Sequence, residues 1–180
     1  METFTELKEF VNNPKYLVQR QQNLSTIADM VIDKPIIDTI NSINKLPYCF
    51  TLQCCYGHFV RNNNKDIYNI EPLSTASVNG EVEYRIAYIA LCIENNKFGK
   101  ELFNILYDIP EIDPSNIQFG CAEWFWQNQV NSYVLQVEPN RHKHKDKVKL
   151  NFREAEKIEK VRNKFFIHLN KVLEIKNKNG

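Results

Sequence analysis

Apolar residues recur along the first third of the chain at helical spacing. Tyr16, Leu17, Leu24, Ile27 and Val31 form one stripe, and Pro14 suits an early helical turn, so a helix is expected from about Pro14 to Val31. A second helix is expected to begin at Asp33, an N-cap candidate with Pro35 behind it. It runs through Ile36, Ile37, Ile40 and Ile43 to Lys45, and Pro47 closes it. The period then shortens to two. A strand is predicted from Tyr48 to Phe59, with Tyr48, Phe50, Leu52 and Cys54 on one face and Cys49, Thr51, Gln53 and Cys55 on the other. Asn62–Lys65 reads as a turn. Tyr84–Ile93 is apolar on both faces, the mark of a central strand. Lys97–Tyr107 predicts a short amphipathic helix through Phe98, Leu102, Phe103 and Leu106. Two strands, Ile117–Trp126 and Ser132–Glu138, flank the polar run Gln127–Asn131 and should pair as an antiparallel hairpin. From Asn151 to about Ile175 a long helix turns Phe165, Phe166, Leu169 and Leu173 toward a core. This order predicts an α+β fold: a mixed or antiparallel sheet with helices packed on it and a long C-terminal helix, in a single domain over residues 1–180.

Composition adds limits. At 43% hydrophobic and 12% aromatic, a chain of 180 residues has the apolar surface for a real core, which disfavours disorder. No apolar run approaches the roughly 20 residues of a membrane span, and the start METFTELKEF lacks the apolar stretch of a signal peptide. Five cysteines are an odd number at low density, so reduced thiols and a cytoplasmic location are expected. The net charge of +1 hides an asymmetry. Residues 1–140 hold ten Lys and Arg against seventeen Asp and Glu, a net −7, while residues 141–180 carry +8. The basic run is densest at Arg141, Lys143, Lys145 and Lys147, side chains that neutralise phosphates without reading sequence. Nucleic acid heads the expected partners, against the plainer reading of a solvated surface.

Candidate chemistry gathers in two stretches. In Thr51-Leu-Gln-Cys-Cys-Tyr-Gly-His58, the thiol of Cys55 and the imidazole of His58 form a nucleophile–base pair only if Gly57 kinks the strand, because a straight strand points them apart. Gly57 either holds a positive φ or lets a ligand approach the backbone. In Phe119-Gly-Cys-Ala-Glu-Trp-Phe-Trp126, Trp124 and Trp126 share a strand face and offer a stacking wall for a planar base, with Glu123 as a partner for an amino or hydroxyl group. Asn131 and Tyr133, opening the next strand, are expected to face the same pocket. No metal is expected: C-x-x-C is absent, and neither Cys55-x-x-His58 nor His142-x-His144 is a zinc spacing. Phosphate-binding glycine loops and the serine-hydrolase elbow are also missing.

The stretch Ile36–His58 resembles the tRNA wybutosine-synthesis methyltransferase family, whose members carry a helix ending near an Ile-Asn pair and then a strand into Thr-Thr-Ser-Ser-Cys-Ser-Gly-Arg. Here Ile40-Asn41 and Ile43-Asn44 end the helix; Thr51, Cys55 and Gly57 match, Cys54 replaces a serine, and His58 stands where the family has arginine. The resemblance implies a compact α+β fold, S-adenosylmethionine as methyl donor and a tricyclic guanosine derivative of tRNA as acceptor. Cys55 and His58 would then lie at the reacting centre, with Thr51, Gly57, Glu123, Trp124, Trp126, Asn131 and Tyr133 binding ligand. The alternatives are a non-catalytic module that binds RNA or another polyanion, and a protein that binds a small molecule in the same pocket.

Overall fold

The computed structural model describes residues 4–61, 66–73, 80–142 and 145–179. Ile36, Ile40 and Ile43 are spaced four and three residues apart and all three are buried, which seats helix α2 (Ile37–Lys45) on the core by one face. Before it, helix α1 (Tyr16–Ala28) buries Tyr16 and Ile27 but leaves Leu17 in solvent, and Val31 lies beyond its end, also exposed. The two helices are joined through a 3-10 turn over Lys34–Ile36, and Asp33 makes no side-chain cap. Helix α3 (Lys97–Asp108) starts where the Asn96 side chain accepts the Gly99 N–H at 2.8 Å. A six-residue helix, α4, spans Glu123–Asn128, and α5 covers Phe152–Asn179. Asn151 and Glu154 cap α5 reciprocally: Asn151 Oδ1 accepts the Glu154 N–H at 3.0 Å and Glu154 Oε2 accepts the Asn151 N–H at 3.4 Å. Phe165, Phe166, Leu169 and Leu173 are buried, as the spacing predicts.

Among the described residues, eight strands form two sheets. β1 (Phe4–Thr5), β6 (Ile117–Ala122), β7 (Ser132–Val137), β5 (Ala87–Ile93) and β2 (Cys49–Cys55) make a five-stranded sheet in that order. β3 (His58–Val60), β4 (Glu81–Arg85) and β8 (Lys147–Asn151) make a three-stranded one. Every pairing among the described residues is antiparallel, so the fold is α+β. Helices cover both faces of the larger sheet. Tyr16 and Leu24 of α1 pack on Phe50 and Cys92, while α2, α3 and α5 pack with Cys49, Ile89, Leu91 and Ile93 on the opposite face. β5 is a central strand, in keeping with its two apolar faces.

Three departures from the sequence reading shape the site. The run Tyr48–Phe59 is not one straight strand: it breaks at Gly57 into β2 and β3, and its partner breaks at Ile86 into β4 and β5. Both chain segments thus bend together from the larger sheet into the smaller. Within β2 the register also slips, Thr51 pairing with Leu91 and Gln53 with Ala90, so Leu52 is a bulge. Beyond a bulge the faces exchange. Cys49, Thr51 and Cys54 lie opposite Ile93, Leu91 and Ile89 on one face; Phe50, Gln53 and Cys55 lie opposite Cys92, Ala90 and Tyr88 on the other. Finally, the expected strand Ile117–Trp126 ends at Ala122 and turns into α4, which makes the link to β7 helical rather than a tight hairpin. The Asn62–Lys65 turn lies outside the described residues.

Candidate functional site

Gly57 holds φ +90, a left-handed value open to glycine, and there the chain turns from β2 to β3. A Cβ at this position would sit 2.8 Å from the Cβ of Ala87 and 3.0 Å from its nitrogen. The close approach that requires glycine is therefore made by β5, and the missing side chain faces Ala87 rather than a ligand. The kink has the consequence that a straight strand forbids: Cys55 and His58 come together. His58 Nε2 lies 3.2 Å from Asp33 Oδ2, and its Nδ1 lies 3.2 Å from the Asn69 carbonyl oxygen. One ligand atom each from Asp33, Cys55 and His58 falls within 4.8 Å of the others. The Asp33 carboxylate also accepts the Tyr56 N–H at 2.8 Å, and Cys55 Sγ accepts the Gly57 N–H at 3.4 Å.

These neighbours settle the charge on the ring. Burial alone draws an imidazolium down, but the hydrogen bonds and charges of Asp33 and Cys55 outweigh it and push the His58 pKa up to about 10. Asp33 moves the other way: its burial opposes ionisation, yet bonds from His58 and the Tyr56 amide hold it below the usual carboxylate range. Both ring nitrogens face acceptors, so His58 is a donor on both sides and is not the waiting base of a nucleophile–base pair. Arg162 of α5, 3% exposed, locks the kink from behind. Its Nη1 donates to the Gly57 carbonyl at 2.8 Å, and its guanidinium carbon lies 4.0 Å from the centre of the Tyr56 ring.

Cys55 and His58 open onto a cleft of about 480 Å³ at the bend between the sheets, lined also by Gln53, Tyr68, Arg85, Tyr88, Trp124 and Lys147. The strand-end stretch, one of the tryptophans and the basic segment therefore meet in space. Trp124 is 56% exposed. Arg85 and Lys147 each lie 3.5 Å from Glu83 in half-exposed pairs. A larger depression, about 550 Å³ beside β1, carries two carboxylates, Glu6 and Glu111, and no thiol, histidine or cation among its described lining residues.

The remaining expected site residues lie elsewhere. Because residues 123–128 are helical, Trp126 does not share a face with Trp124: it packs edge-on against Tyr133, with Lys8 over its ring. Glu123 pairs with Lys8 at 2.6 Å. Asn131 is fully buried at φ +60 and spends its amide on both backbone groups of Val11, at 2.9 Å each. Tyr133 is buried among Phe10, Phe103 and Phe119 and donates to the Lys8 carbonyl. Thr51 is sealed on the core side of the bulge, its N–H given to Asn44. Glu123, Trp126, Asn131 and Tyr133 thus hold the N-terminal segment in place, and none of them is among the described residues that line the cleft. Lys145 is exposed, whereas Lys143 and the Arg141 side chain lie outside the described residues.

Sequence reasoning missed Asp33, Tyr68, Arg85 and Tyr88. Asp33 is legible only as a cap; nothing local says that its carboxylate turns to a strand more than twenty residues on. Arg85 has a signal in Glu81-Val-Glu-Tyr-Arg85, whose strict alternation puts Arg85 on the polar face.

No family model matches the chain, and no curated protein matches it. Among solved structures, that of PH1069 protein from Pyrococcus horikoshii is similar over 90% of this chain and 95% of its own, at 14% identity and a TM-score of 0.49.

Proposed function

We propose that this chain is a methyltransferase-like protein that takes S-adenosylmethionine and a modified guanosine of tRNA into the cleft beside Cys55 and His58. The reading is supported by one juxtaposition: the strand end Gln53–His58, the exposed ring of Trp124 and the basic residue Lys147 line a single cleft. S-adenosylmethionine supplies an activated methyl group on a sulfonium. The residues present suit it. Aromatic faces at Tyr68, Tyr88 and Trp124 attract a sulfonium and stack a purine. Arg85 and Lys147 offer cations to the donor's carboxylate, and their pairs with Glu83 are exposed enough to exchange at small cost. Methyl transfer asks chiefly for positioning, and a strand end fixed by the Gly57 kink and Arg162 is a rigid platform for it. His58, with both N–H groups given to Asp33 and the Asn69 carbonyl, would not remove the acceptor's proton; it holds the strand end in place.

Such a protein works in the cytoplasm, where five unpaired cysteines stay reduced. No helix among the described residues is long and apolar enough to cross a membrane. The second reading, a module that binds RNA or a small molecule without catalysis, uses the same cleft. Calorimetric titration with S-adenosylmethionine separates the readings. We expect saturable heat in the wild type and at least about tenfold weaker binding in Trp124→Ala, with an unchanged melting temperature because the ring is largely exposed. Absence of heat at millimolar ligand removes the donor and with it the methyltransferase.

A further inference from the structure

Asp33, Cys55 and His58 assemble a carboxylate, a thiol and an imidazole at the bottom of the bend, and each brings a different donor atom to one point. In a tetrahedral zinc site, bonds of about 2.0–2.3 Å place neighbouring ligand atoms about 3.3–3.6 Å apart. The His58 Nε2–Asp33 Oδ2 edge is 3.2 Å, already close to that length. All three ligand atoms lie within 4.8 Å of one another, so closing the triangle needs only a side-chain adjustment at Cys55.

The surroundings match what metal ligands require. A ligating histidine gives its other ring N–H to a carboxylate or carbonyl, and His58 Nδ1 faces the Asn69 carbonyl at 3.2 Å. A ligating carboxylate is itself hydrogen-bonded, as Asp33 is by the Tyr56 N–H, and the Cys55 sulfur receives the Gly57 N–H. The ring is fixed in place, 4% exposed. Cys55 and His58 line the cleft, so a position on that side stays open.

We propose that Asp33, Cys55 and His58 bind one divalent transition-metal ion, zinc by the softness of the donor set, with a fourth position open to the cleft. Three protein ligands and one open position are the arrangement of zinc sites that act on a bound molecule. The ion replaces the Nε2 proton between His58 and Asp33 and the Cys55 thiol proton, both released to water, and its fourth ligand is water or an oxygen, nitrogen or sulfur of the cleft's occupant. The site stands whether or not that occupant is S-adenosylmethionine.

Cobalt(II) titration of the metal-stripped full chain tests it, because cobalt reports thiolate coordination and tetrahedral geometry in its spectrum. The expected result is one ion per chain, a thiolate-to-cobalt charge-transfer band, tetrahedral visible bands, and displacement of all three by zinc. Cys54→Ala keeps the spectrum, since Cys54 lies on the opposite strand face. Cys55→Ala loses the charge-transfer band, and Asp33→Asn weakens cobalt binding at least about tenfold. Circular dichroism checks that each variant is folded, and Cys55→Ser is the second variant should alanine unfold the chain. A wild-type spectrum without a thiolate band overturns the proposal, as does a band that survives in folded Cys55→Ala or Cys55→Ser. Six-coordinate cobalt without sulfur would put the ion elsewhere and equally overturn it.

Discussion

At the scale of single residues, the molecule concentrates its constraints at Gly57 and Glu138. Replacing Gly57 by alanine forces an L side chain to φ +90 and drives its Cβ to 2.8 Å from that of Ala87. We expect Gly57→Ala to lose about 1–2 kcal/mol or more in chemical denaturation, since left-handed backbone costs about that for a non-glycine residue before any clash is counted. Wild-type stability in that variant would show that the kink is incidental. Glu138 is fully buried, and among the described residues no partner is seen for its Oε1. Burial and the charge of Asp146 push its pKa from 4.5 up to about 8, against a smaller pull from Lys145. Between those two values the native state keeps a proton that the unfolded chain releases, so stability falls as pH rises from about 4.5 to about 8 and levels off above. Glu138→Gln should flatten that decline. Melting temperatures at about pH 5 and about pH 9 would show it, and an equal drop in both proteins would exclude Glu138 as its cause.

At the scale of elements, the paired bends at Gly57 and Ile86 decide where the site lies. Tyr84 braces them: its hydroxyl donates to the Val137 carbonyl at 2.8 Å and accepts the Ala87 N–H at 2.9 Å, joining the small sheet to the large one. Tyr84→Phe strands both backbone groups in the core and should cost about 1–3 kcal/mol, readable as a lower denaturation midpoint. A change below a few tenths of that would mean that water reaches the gap. Much of this level is legible in sequence. The helices α2, α3 and α5 follow from apolar spacing, and β5 from its two apolar faces. β8 is also within reach, since Lys147-Val-Lys-Leu-Asn151 alternates exposed and buried, but the density of charge there argues locally for a loop. Two features are out of reach. A bulge adds a residue without changing composition, so period-two reasoning carries Cys55 to the wrong face with nothing to correct it. Glu123–Asn128 is too short for a helical period to declare itself, and its aromatics favour a strand locally. Of the candidate site, Cys55, His58, Trp124 and Lys147 are named from sequence and do meet, whereas Glu123 and Trp126 depend on a strand that ends early and Thr51 lies on the core side of the bulge.

At the scale of the whole molecule, charge is less one-sided than the sequence suggests. Lys147 and Lys149 stand on the outer face of the small sheet, but their diagonal neighbours on β4, Glu83 and Glu81, hold part of their charge. Exposed pairs of this kind are weak, so phosphates compete for the lysines. If tRNA reaches the cleft along this edge, replacing Lys143, Lys145 and Lys147 together should lower affinity and flatten the dependence of log K on log salt. The slope should shrink by up to about 0.9 for each phosphate that is no longer neutralised. An unchanged slope would exclude the edge as the RNA path.

The bulge at Leu52 has a consequence for how this chain tolerates changes of length. Within a paired strand, losing one residue ordinarily reverses every side chain beyond it, and a surface once buried meets water. Position 52 is the exception. Thr51 and Gln53 already pair with the adjacent residues Leu91 and Ala90, so deleting Leu52 would restore regular pairing while leaving Cys54 inward and Cys55 on the cleft. What disappears is the packing of Leu52 between two small apolar clusters under α1 and α4. Descendants of this sequence can therefore lose a residue there and keep the same thiol in the same place, which makes the strand's length free to shorten where its chemistry is not.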